Sequence, residues 1–392
     1  MKPRLTYGRR RPSRNTEHLA WLAQGLAESS NRLEDAWWEA QLTALIQKLL
    51  KSLDDEALNQ ALDRLDATDP QQPAQDRAYE GLADLIETSC EIEQTGKSSR
   101  LLIALPILAW SRYLIPTRTV PAATLDALRA QLSAHVLAAG TQVHFADYLF
   151  SPDQLPQGYC QTRALAEALW QTSKTGQDLN VPASELPESQ TFVSDVRYLL
   201  AVVEVPANHP VFRWNEVDGK RETALDAWRA QGRPNFQNLL TGCAYELLLP
   251  DAYFAAWRQA DQENRPFALK AAADYLQTLF GVPATQLRAI VAPYFDRGLK
   301  EWRIGFTLHD SDQVVHGVTW PLLGQEDESV DIPGHIEAIL KATGMNAIHI
   351  LDTRMPLEYC DDCGSPLFPN PDGENVHTEL PEDMQDAPAQ LH

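Results

Sequence analysis

A chain of 392 residues, 44% hydrophobic and 22% charged, is long enough for two or three packed units and has the composition of neither a disordered nor a fibrous protein. Its formal charge of −21 repels nucleic acid from most of the surface. Five cysteines, of which only Cys360 and Cys363 are close in sequence, give no disulfide framework and fit a reducing compartment, the cytoplasm.

Residues 1–14 form a basic arm in which Lys2, Arg4, Arg9, Arg10, Arg11 and Arg14 stand without an acidic neighbour. The arm is expected to be disordered. Nucleic-acid contact is not expected except through this arm, and docking of the arm onto the acidic body is the alternative. No apolar signal region follows it, and Pro106 and Arg112 interrupt the apolar run 101–114, so neither export nor membrane insertion is expected.

Residues 15–94 read as a helical bundle. Leu19, Leu22, Ala23 and Leu26 recur at helical spacing, and a second segment continues with Leu33, Trp37, Leu42, Leu45, Ile46 and Leu49 behind an Asn31/Glu34 capping pair. Leu58, Leu62 and Leu65 mark a third helix, and the Pro-containing break at 69–73 precedes a fourth at about 75–93. The adjacent Trp37 and Trp38, with Trp37 on the apolar face, are expected to dock the bundle onto the body.

The pattern then shortens. Strand-like runs at 100–108, 142–150 and 196–205, with helices at 122–138 and 161–172, predict a first α/β lobe over 95–206. The polar stretch 173–190 is its long surface loop. Thr95-Gly96-Lys97-Ser98 resembles the end of a phosphate-binding loop, but Glu91 stands where the first glycine is needed and a strand follows, so a turn is the reading preferred.

A second α/β lobe is predicted over 207–355, with helices at 223–240, 252–259, 266–280 and 334–342 among apolar runs at 244–249, 287–294, 302–308, 314–322 and 347–351. His209, Phe212 and Trp214 read as an aromatic anchor for a loop, with a pocket as the alternative. Asp310-Ser311-Asp312-Gln313 is a turn that makes 302–321 a hairpin, so His309, Asp310, Asp312 and His316 are read as its turn and flanks rather than as a metal cluster. The fold class predicted is α+β, or mixed α/β: an N-terminal helical bundle, two α/β lobes with mixed sheets, and a C-terminal knuckle-like hairpin.

The strongest local motif lies in the acidic tail, 356–392. Cys360-Asp361-Asp362-Cys363-Gly364 places two thiols two residues apart, a spacing at which both can grip one tetrahedral metal, and Gly364 allows the tight turn. Pro371-Asp372-Gly373 folds Leu367 and Phe368 back toward Val376. His377 is the natural third ligand, and Glu379 or a histidine of the body the fourth, so zinc held by Cys360, Cys363 and His377 is one expectation. A metal-free knuckle and a thiol redox pair are the others. Asp361 and Asp362 argue against redox chemistry because neighbouring carboxylates raise a thiol pKa.

The segment from Glu358 to Gly364 with Pro366-Leu367-Phe368-Pro369-Asn370-Pro371, together with Glu34-Asp35-Ala36-Trp37-Trp38, resembles an uncharacterised proteobacterial family, domain of unknown function 2863, over nearly the whole chain. The resemblance implies a cytoplasmic bacterial setting and transfers no catalytic residue. Two function classes follow. One is a binding, regulatory or adaptor protein with a protein or small-molecule partner; the other is an enzyme whose site lies between the two lobes without a motif legible in sequence.

Overall fold

The computed structural model describes residues 13–66, 73–324 and 326–380. Most of the basic arm, and the tail beyond 380, thus lie outside the described residues. The arm's last two residues begin the first helix, where Ser13 Oγ accepts from Thr16 N at 3.1 Å.

Four helices form the bundle: α1 (Arg14–Glu28), α2 (Arg32–Lys51), α3 (Asp55–Asp66) and α4 (Pro73–Glu91). Asn31 caps α2 by accepting from Leu33 N and Glu34 N, each at 3.1 Å. The tryptophan pair does not dock the bundle onto the body. Trp37 is half exposed, and Trp38 instead turns inward within the bundle, its ring 5.2 Å from that of Trp21. It lies over Gly25, where a Cβ would fall 2.6 Å from the indole. A small residue on α1 therefore decides which of the two rings goes in.

The first sheet is built on β2 (Ser98–Trp110), which follows the short β1 (Ile92–Gln94). Thr95 N donates to Ser98 O at 2.8 Å, so the segment resembling a phosphate loop is the turn between these two strands. After β3 (Arg118–Thr119) come α5 (Ala122–His135), β4 (Gln142–Phe150), α6 (Tyr159–Ser173) and β5 (Ser194–Pro206). The order is β1-β2-β5-β4-β3, with every neighbouring pair antiparallel. The chain then adds α7 (Arg221–Gly232), β6 (Ala244–Leu247) and β7 (Asp251–Ala252). Both of these strands pair with β2, so residues 244–252 complete the first sheet.

Alternation along β2 explains the layering. Leu102, Ala104 and Leu108 face the bundle, while Ile103, Leu105, Ile107 and Ala109 face α5 and α7. With both faces covered, the strand reads as a continuous apolar run rather than an alternating one. The loop before α7 is anchored by aromatics: Phe212 is buried and stacks on Trp214 with centroids 4.4 Å apart.

Where sequence predicts two helices, at 252–259 and 266–280, a single one forms, α8 (Tyr253–Phe280), with Pro266 inside it. Pro266 removes a helical donor, a penalty of about 3 kcal/mol in an unsupported helix. Burial on both sides of it holds α8 together, with Ala256 and Ala260 in the core of the bundle and first sheet and Leu269, Ala272 and Leu276 in the core of the second sheet. The second sheet comprises β8 (Leu287–Asp296), β9 (Gly298–Leu308), β10 (His316–Pro321) and, beyond α9 (Ile332–Ala342), β11 (Ala347–Ile350) and β12 (Met355–Pro356). β9 and β10 form the predicted hairpin, pairing Phe306 with His316 and Trp302 with Trp320. β11 and β12 run parallel to β8, so this sheet is mixed and the fold is α+β. His309 is exposed beside Asp310, and His316 is buried against Tyr275 and Phe306. No helix among the described residues is long and apolar enough to cross a membrane.

Candidate metal centre

The tail makes one small hairpin, β13 (Phe368–Pro369) against β14 (Asn375–Val376), with Phe368 opposite Val376 as the turn chemistry requires. Before it, the cysteine knuckle closes on itself: Gly364 N donates to Cys360 O and Cys360 N to Ser365 O, both at 2.8 Å. Gly364 takes φ +72°, a conformation that side chains with a Cβ resist.

This folding brings together the three residues expected from the sequence. Cys360 Sγ, Cys363 Sγ and a His377 ring nitrogen all lie within 4.8 Å of one another, and among the described residues this is the only group of three or more Cys, His, Asp or Glu side chains that could hold an ion. Cys363 Sγ is 3.2 Å from His377 Nε2. His377 Nδ1 lies 2.8 Å from Thr378 O, a carbonyl that can only accept, so Nδ1 carries a proton and Nε2 faces the sulfurs. Nε2 is therefore the nitrogen that a metal would take in exchange for the proton it shares with Cys363.

The electrostatics run against one sequence expectation. The Cys363 thiol is not raised by its acidic neighbours but lowered to about 6, first by hydrogen bonds from Ser365 and then by His377 and Cys360. His377 is raised by its bond to Cys363. Asp361 and Asp362 are exposed, where solvent weakens their effect. The fourth ligand is not supplied as expected. The Glu379 carboxylate is outside the group, and its backbone is tied to Val314 and Gln313, while no body histidine belongs to the cluster. Two sulfurs and one imidazole suit zinc chemically, with a fourth position left for solvent or an added ligand.

Sequence reading missed what fixes the knuckle to the body. Arg303 on β9 is fully buried beneath it and donates from Nη1 to Glu358 O and Leu367 O, both at 2.7 Å, while Nε reaches Glu301 at 2.6 Å. Its guanidinium stacks on Tyr294 and Tyr359, at 4.4 and 4.9 Å from the ring centres. Beside it, Gly305 and Gly317 pair across β9 and β10 and leave a slot. A Cβ at Gly305 would meet Pro369 O at 2.3 Å, and one at Gly317 would meet the Phe368 ring at 2.4 Å. Two glycines inside adjacent strands are the signal that something packs closely there.

Fold and site together define an α+β protein with a surface Cys2His knuckle bolted to the face of its second sheet. The chain belongs to the family described as Protein of unknown function (DUF2863), whose model matches residues 6–391. No curated protein and no solved structure matches it.

Proposed function

We propose that the protein is a cytoplasmic binding or adaptor protein whose C-terminal knuckle holds one zinc ion through Cys360, Cys363 and His377. The carrying observation is the convergence of three metal-competent donors on one surface knuckle, which Phe368 and Arg303 anchor to the second sheet. Zinc there would neutralise thiolate charge in a tail rich in Asp and Glu and lock the hairpin's outer surface. Cys363 and His377 are exposed, which suits a structural or contact role better than chemistry that must exclude water. The acidic surface favours a basic or neutral partner over nucleic acid.

The enzyme reading would place a site between the two lobes. The pocket of about 210 Å³ between β5 and β10 does not serve it, because Asp195 there is committed to Arg197 at 2.5 Å. Cobalt substitution tests the proposal. Thiolate-to-cobalt charge-transfer bands and intense visible bands of a tetrahedral ion are expected with the native chain and are lost in C360S/C363S. Their absence from the native chain, or their persistence in the double variant, would overturn it.

A further inference from the structure

A second site lies where the bundle meets α8. A cleft of about 1120 Å³ opens there, large enough for a small organic ligand. One wall is α4, which contributes Asp76, Glu80, Asp84 and Glu87. These positions fall on one helical face and advance along the axis in steps of about 4.5 to 6 Å, so the carboxylates form a row rather than a ring. The opposite side is aromatic: Tyr159 and Phe254 have centroids 6.0 Å apart, and Trp257 follows on α8, with Asp261 one turn beyond.

The charge of this cleft is not neutralised from within. Among the described residues Arg258 is the only cation lining it, and Glu87 takes its guanidinium at 2.6 Å. Asp76, Glu80, Asp84 and Asp261 enter no ion pair among the described residues. A metal ion is a poor match, because no three of these carboxylates converge closely enough to share one. A compact monovalent cation would meet one carboxylate and leave the row unopposed. A linear chain of amines meets successive carboxylates, while its methylene segments and charges both gain from aromatic faces.

We propose that this cleft binds a linear aliphatic polyamine, with its ammonium groups along the α4 carboxylate row and its methylene segments against Tyr159, Phe254 and Trp257. The Gly158–Tyr159 turn that carries one of these rings is held by α3: Asp55 Oδ1 accepts from Cys160 N at 3.0 Å, and a Cβ at Gly158 would strike the same carboxylate at 2.8 Å. The inference is independent of the zinc knuckle.

The test is titration calorimetry of the full chain with spermidine at low ionic strength. One molecule per chain is expected, with affinity falling as salt rises. The exposed Glu80→Gln and Asp84→Asn changes together should weaken binding at least tenfold, and Trp257→Ala should weaken it with no change in charge. Circular dichroism and metal content of the E80Q/D84N protein should stay native, which separates lost binding from lost folding. The proposal is overturned by an absence of binding, by equal affinity in E80Q/D84N, or by equal displacement with magnesium, which would mean diffuse counterion attraction. It is also overturned if a peptide of residues 2–14 displaces spermidine far below the spermidine concentration, since the chain's own arm would then be the better occupant.

Discussion

Phe368→Ala removes the ring that joins the knuckle to the second sheet while leaving every candidate metal ligand in place. Phe368 is 0% exposed, and its ring fills the slot over Gly317, where even a Cβ would come within 2.4 Å. Truncating such a buried ring typically costs about 3–5 kcal/mol, a large share of the roughly 5–15 kcal/mol that holds a domain folded. The Arg303 bonds to Glu358 O and Leu367 O reach backbone atoms and survive the change, so the loss falls first on β13 and β14. Because β14 leads directly into His377, metal should be held more weakly although Cys360, Cys363 and His377 are all present. Denaturant unfolding gives the stability change, limited proteolysis between residues 358 and 380 reports the loosened hairpin, and chelator competition reports the metal. A destabilisation below about 1 kcal/mol with an uncut tail would refute the packing argument.

Arg303→Met should destabilise the chain by about 3 kcal/mol in the same unfolding assay, because Glu301 loses its partner and two buried carbonyls lose their donor. Glu91, buried and accepting from Phe254 N at 3.2 Å, is pushed up from 4.5 to about 7 by burial, with Glu87 and Asp251 adding to the rise and Arg258 opposing it. The native state therefore keeps this proton to higher pH than the unfolded chain, so stability should fall by about 2–3 kcal/mol as pH rises from about 4.5 to 7. Glu91→Gln should flatten that part of the denaturation profile. Gly25→Val should cost about 1–3 kcal/mol in thermal unfolding by forcing Trp38 off α1, whereas Trp37→Ala, at a half-exposed ring, should cost less than 1 kcal/mol.

Periodicity carried most of the architecture. The strand at 142–150 and the hairpin at 302–321 were legible because apolar runs were bounded by Gly140 and by Asp310-Ser311-Asp312-Gln313, and such turns are locally encoded. Long-range decisions were not. Pro266 marks a break by local rules, and only burial in two cores reveals why α8 continues through it. Trp37 and Trp38 look alike in sequence, and the choice between them rests on the space above Gly25. The three candidate ligands could be named because two of them share one knuckle and the third lies just beyond a Pro-Asp-Gly turn. Arg303 and the α4 cleft are not legible in the sequence because their meaning depends on partners many residues away.

The most direct test of the account is elemental analysis of protein purified without added chelator, comparing the native chain with C360S/C363S. About one zinc per native chain, and essentially none in the double variant while its circular dichroism stays native, is the expected result. No metal in the native chain, or the same metal content in both proteins, would contradict the assignment of Cys360, Cys363 and His377 as a zinc site.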